Sequence, residues 1–149
     1  MRIALFLHVI SAVIWIGGMF LAYVAVRPAA IEVLDPPQRL NLWVGIFRRF
    51  FPWVWAAVVV LLASGYLMMR QMGAIPHSVM IMMVIGVVMS AIFLHIYFAP
   101  FKRLQRAVAA GDWKAGGGAL NQIRILIATN LTLGLLNIAV AMLGRGILQ

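Results

Sequence analysis

The chain contains no cysteine. That excludes disulfides, thiolate zinc sites and covalent haem attachment, and leaves methionine sulfur and imidazole as the soft ligands. Charge is nearly as scarce, with 10% of residues charged and only three of them acidic. No polar stretch is long enough to fold by itself as a soluble unit. The glycine run Gly116-Gly117-Gly118 lacks the Lys-Ser/Thr that would follow it in a phosphate loop, and is expected to act as a hinge.

Apolar sequence fills the space that charge leaves. Hydrophobic residues make up 65% of the 149 positions. They cluster in four runs, Ile3 to Val26, Phe50 to Met69, Ser78 to Ala99 and Ile125 to Leu143. Each is near the ~20 residues that a helix needs to cross a bilayer. The expected fold is all-α, a four-helix transmembrane bundle forming a single domain over 1–149. Arg2 before the first run resembles the start of a secretory signal. The run continues to Arg27-Pro28, beyond the ~7–15 apolar residues of such signals, and is expected to remain as a span.

The basic residues predict orientation, because short loops rich in Lys and Arg stay in the cytoplasm. Arg27, Arg39, Arg48, Arg49, Lys102, Arg103, Arg106, Lys114 and Arg124 follow spans 1 and 3, leaving Arg2, Arg70 and Arg145 for the other side. Both termini should face outward, in a bacterial inner membrane. The net charge of +9 then reflects topology and attraction to anionic lipid, and does not call for nucleic acid.

Both basic loops are expected to hold short amphipathic helices. Asp35-Pro36-Pro37-Gln38 has the pattern of a helix start, with Asp as N-cap, Pro in the first turn and Gln placed to complete a capping box. Leu40, Trp43 and Phe47 would share one face after it. Phe101, Leu104 and Val108 alternate with Lys102, Arg103 and Arg106 until Gly111 and Asp112, as in a helix lying among headgroups.

Polar side chains inside apolar spans are costly and mark candidate sites. His8, Ser11, Trp15 and Gly18 recur at helical spacing in span 1, with Gly17 beside them. Asn130, Gly134 and Asn137 do the same in span 4, where asparagines commonly bond between helices. His8 lies about 8 Å below the outer surface, with Asn137 expected at a similar level. His77 opens span 3 on that side, and about 27 Å of helix separates it from His95. A hydrogen bond to a carbonyl is the expected role of His95, with a place in a second cofactor site as the alternative. Met68, Met69, Met72, Met80, Met82, Met83 and Met89 crowd around His77. Thioethers with imidazole suit Cu(I), although methionine also fills apolar cores.

Leu7-His8-Val9-Ile10-Ser11-Ala12-Val13-Ile14-Trp15-Ile16-Gly17-Gly18-Met19-Phe20, closing with Arg27-Pro28, resembles the first span of the CopD-like superfamily of small integral membrane proteins. That superfamily takes in the copper resistance protein D domain and is related to the HemJ-type protoporphyrinogen oxidases. His95-Ile96-Tyr97-Phe98-Ala99-Pro100-Phe101, Asp112-Trp113 and Leu120-Asn121-Gln122-Ile123-Arg124 are similar to a four-span branch of it. The copper relatives imply copper handling across the inner membrane, and the oxidases imply non-covalent haem b with His8 matching their first-span histidine. Span 3 has no Lys and span 4 opens on Asn121-Gln122, which sets the chain apart from the oxidases.

Three functions follow as expectations. In the first, His8 and His77 ligate a haem b from opposite faces, or His8 holds it alone. Ser11, Trp15, Gly18 and Asn137 would line the ring and Arg70 or Arg2 would meet its propionates, for one-electron transfer with a quinone or another redox partner. In the second, Met72, His77, Met80 and His8 form an outward copper entry site. In the third, the polar groups only join helices. The Gly and Ala surfaces would permit a homodimer.

Overall fold

The computed structural model describes the backbone of residues 2–147 and the side chains of residues 2–144. The Arg145 side chain, counted above in the charge split, and the terminal residues Met1 and Gln149 lie outside the described residues. Five helices account for the fold: α1 (Arg2–Val33), α2 (Pro36–Arg70), α3 (His77–Phe98), α4 (Pro100–Ala109) and α5 (Trp113–Ile147). No strand occurs among the described residues. Four segments are long and apolar enough to cross a membrane: α1, α2, α3 with its extension α4, and α5. Ile3, Phe6, Val13, Val59, Val84, Val87, Leu135 and Met142 stand exposed around the bundle, as lipid-facing residues should. The protein is an integral membrane four-helix bundle.

The helices outrun the apolar runs because local signals carry them on. In α1 the proline at position 28 has no N–H and would crowd a carbonyl one turn back. The stretch Ala22–Val26 widens into a π-helical turn, closed by Arg27 N–H on the Ala22 carbonyl, and the helix continues to Val33. The capping box at the start of α2 forms as expected, with Asp35 N–H donating to Gln38 Oε1 at 3.3 Å. Pro100 and the distorted Ala99 before it separate α3 from α4. α4 ends in a Schellman motif: Gly111 takes φ +68°, Asp112 N–H reaches Ala107 O at 2.9 Å and Gly111 N–H reaches Val108 O at 3.2 Å. Asp112 Oδ1 then accepts from Ala115 N–H at 3.0 Å and starts α5.

Three expectations for the loops need correction. The amphipathic segment of the first loop is not a separate short helix, since α2 runs unbroken from Pro36 through Pro52 to Arg70. Neither amphipathic face lies among headgroups. Leu40, Trp43 and Phe47 are buried, as are Phe101, Leu104 and Ala107 of α4, which packs on α5. Aromatic stacking draws them inward: Phe47 stacks on Phe51 at 5.0 Å, and both rings meet Phe101 edge-on. The glycine run is helical, so it is no hinge. A Cβ on Gly116 would come within 3.0 Å of Leu40 Cδ1 and 3.7 Å of Ala107 Cβ, so the missing side chain lets α5 close on α2 and α4.

α1 packs mainly on α2, and α3 mainly on α5. α1 and α3 stand diagonally, meeting through side chains such as Trp15 on Phe93 at 6.2 Å. The aromatic core of Trp43, Phe47, Phe51, Phe93 and Phe101 fills the end carrying the basic loops. The other half is joined by small and polar groups.

Candidate functional site

The stripe expected on α1 faces inward. Ser11, Trp15 and Met19 are buried and His8 is half-buried above them. Its partner is on α2. His8 Nδ1 lies 2.9 Å from Ser64 Oγ, and Ser64 Oγ lies 2.5 Å from the Val60 carbonyl. A serine hydroxyl has one hydrogen, and here the carbonyl one turn back takes it. Ser64 therefore offers His8 a lone pair, which assigns the proton to Nδ1 and leaves Nε2 with its lone pair free. Gly65 completes the seat: a Cβ there would stand 3.4 Å from His8 Cε1, so the ring lies close along α2.

Along α2, Met68 follows Ser64 at a step of four, the spacing that keeps side chains on nearly one helix face. Met68 and Met72 are both half-buried, and Met72 sits in the turn that follows the helix. Sequence reasoning missed Ser64 and Gly65. A polar and a small residue side by side in an apolar span were the available signal.

The other expected site residues do not converge. His77 is exposed at the first turn of α3, and Met80 is exposed one turn further on. Arg70 is exposed, with its guanidinium 5.9 Å from the centre of the Tyr66 ring. His95 is exposed at the far end of α3. Asn130 and Asn137 join helices: Asn130 Nδ2 donates to Met89 O at 3.3 Å, and Asn137 Nδ2 to Met82 O at 3.4 Å. The Oδ1 atoms of both have no partner among the described residues. Between them Gly134 packs on Ile16 and Met89. Asn137, one turn beyond Gly134, is therefore about one turn deeper than His8 and does not share its level.

Nothing in this arrangement supports a haem held by His8 and His77. Their helices stand diagonally, and the Phe50 ring packs directly on Gly18, where a Cβ would overlap it. Gly17 faces outward and adds no interior room. Among the described residues no group of three or more His, Cys, Asp or Glu could hold a metal ion. Any soft-metal binding here would rest on imidazole and thioether.

Fold and site together define a four-span helical membrane protein with a single oriented imidazole inside its bundle. The family model described as Copper resistance protein D matches residues 44–143, more than half of the chain, and the protein belongs to that family. No curated protein and no solved structure matches the chain. The matched region runs from α2 into α5 and includes Ser64, Met68 and Met72; His8 lies before it.

Proposed function

We propose that this protein handles copper in the membrane, taking Cu(I) as cargo at the His77 end and passing it to His8. The observation that carries this reading is the Ser64 bond. A metal-binding histidine commonly donates its second ring N–H to a neighbouring acceptor, which fixes the tautomer and raises the basicity of the free nitrogen. His8 has that arrangement, with Nε2 free. Met68, one turn beyond Ser64 on α2, and Met72, in the turn after the helix, supply half-buried thioethers towards the His77 end, and thioether with imidazole is a donor set suited to Cu(I). Family membership supports the same metal. Under the charge rule the His77 end faces out of the cytoplasm, so the site would receive copper from the outer side of a bacterial inner membrane.

The test is anaerobic Cu(I) titration of the detergent-purified protein against a chromogenic chelator. His8→Ala should abolish tight binding. The double change Met68→Leu and Met72→Leu should weaken it by about tenfold or more, because leucine conserves volume while removing the soft sulfur. Met80→Leu should matter less, since Met80 is exposed. Full copper stoichiometry in His8→Ala, with an unchanged affinity, would overturn the proposal.

A further inference from the structure

A second site lies at the opposite end. Between α1, the start of α2 and the start of α5 is a cavity of about 260 Å³, lined by Arg27, Arg39 and Arg124 with Tyr23, Trp43 and Asn121. Its lining includes no carboxylate. Asp35 is engaged in the capping box of α2 and Asp112 caps the first turn of α5, while Glu32 is exposed outside the cavity. The three arginines therefore line one space with no opposing charge from the cavity wall. Arg27 is held on one side, its guanidinium 5.5 Å from the centre of the Tyr23 ring.

The position of these arginines identifies the medium they meet. Arg27 closes the first apolar run and Arg124 immediately precedes the fourth, and Arg39, in the first turns of α2, lines the same cavity. Arg27 and Arg124 belong at the level where hydrocarbon gives way to headgroups, and the shared cavity sets Arg39 beside them. Directly deeper is a second cavity of about 270 Å³, walled by apolar side chains such as Met19, Ile46, Phe50 and Val54. It shares Ala22, Phe47 and Ile127 with the first, so the basic mouth and the apolar crevice adjoin.

We infer that this paired cavity is a binding site for an anionic phospholipid, its phosphate held by Arg27, Arg39 and Arg124 and part of an acyl chain lying in the crevice. Guanidinium groups match phosphate through paired N–H donors, and basic pockets between spanning helices are a recurring way of holding anionic headgroups. A free phosphate would use the mouth alone. The adjoining crevice and the depth of the arginines favour the lipid.

Native mass spectrometry of the full chain in mild detergent tests this, with equal amounts of phosphatidylglycerol and phosphatidylcholine added. The wild type should retain phosphatidylglycerol selectively. The variant Arg27→Gln, Arg39→Gln, Arg124→Gln should bind it about a hundredfold more weakly, as expected for three headgroup contacts. A control with Arg48→Gln, Arg49→Gln and Arg106→Gln removes equal charge from exposed positions outside the cavity, and should change affinity only about twofold. Equal losses in the two variants would mean diffuse attraction, and equal retention of the two lipids would mean no headgroup recognition. Either result overturns the site. Displacement of the lipid by millimolar inorganic phosphate would identify a small-anion site and overturn the lipid assignment. A second measurement needs no change to the arginines: phosphatidylglycerol with a brominated chain should quench a component of the fluorescence that is missing in Trp15→Phe, because Trp15 lines the crevice. Quenching identical in the two proteins would also sink the proposal.

Discussion

Ser64 shows how one hydroxyl can decide the chemistry of an imidazole. By giving its hydrogen to Val60 O it presents only lone pairs to His8, and the proton on Nδ1 follows. Ser64→Ala removes that acceptor without adding bulk. We expect the variant to insert and purify normally, and to lose about 10–100-fold in Cu(I) affinity, the usual cost of deleting a partner behind a metal-binding histidine. Chelator competition on the two proteins side by side measures it. An unchanged affinity would mean that the serine only fills space between α1 and α2. His8 itself was legible, because an ionisable residue in an apolar run stands out. Ser64 was not legible as its partner, since 56 residues separate the two and neither periodicity nor spacing records which helices become neighbours.

At the scale of the helix, small residues mark where another element comes close. Gly18 admits the Phe50 ring, Gly134 admits Ile16 and Met89, and Gly116 admits Leu40. The first of these is the most demanding, since a methyl group at position 18 would overlap the ring. Gly18→Ala should cost about 1–3 kcal/mol by forcing the ring or the helices to shift. Phe50→Ala in the same chain should relieve most of that penalty. A double-mutant cycle on unfolding in denaturing detergent, followed by helical content, reads the coupling. Additive losses would show that Gly18 serves something other than Phe50. The amphipathic faces carry the same lesson. Leu40, Trp43 and Phe47 announce a one-sided helix, and periodicity alone cannot say whether that side meets headgroups or protein. Here it meets protein, because Phe51, Phe101 and α5 offer an apolar surface at the same level.

For the molecule as a whole, the uneven distribution of charge sets the expected orientation. Nine of twelve Lys and Arg flank the α1–α2 and α3–α5 connections. A reporter fused after Gln149 should therefore report the outer compartment, and one inserted in the turn at Gly111 the cytoplasm. The turn is the right insertion point because Gly116 to Gly118 are helical and Gly116 packs closely on Leu40. A cytoplasmic C-terminus would reverse the orientation and place the copper entry on the other side. The sequence by itself determined that four helices cross the membrane, where α2 begins and that His8 faces inward. Those properties rest on run length, on capping residues a few positions apart and on the helical repeat, all of which act within one element. Only the tertiary structure decided that α1 lies against α2 and diagonally from α3, so that His8 meets Ser64 and not His77. Which helices become neighbours follows from the fit of whole surfaces, Gly18 against Phe50 and Gly134 against Ile16, and such fit belongs to pairs of elements that no single run of sequence contains.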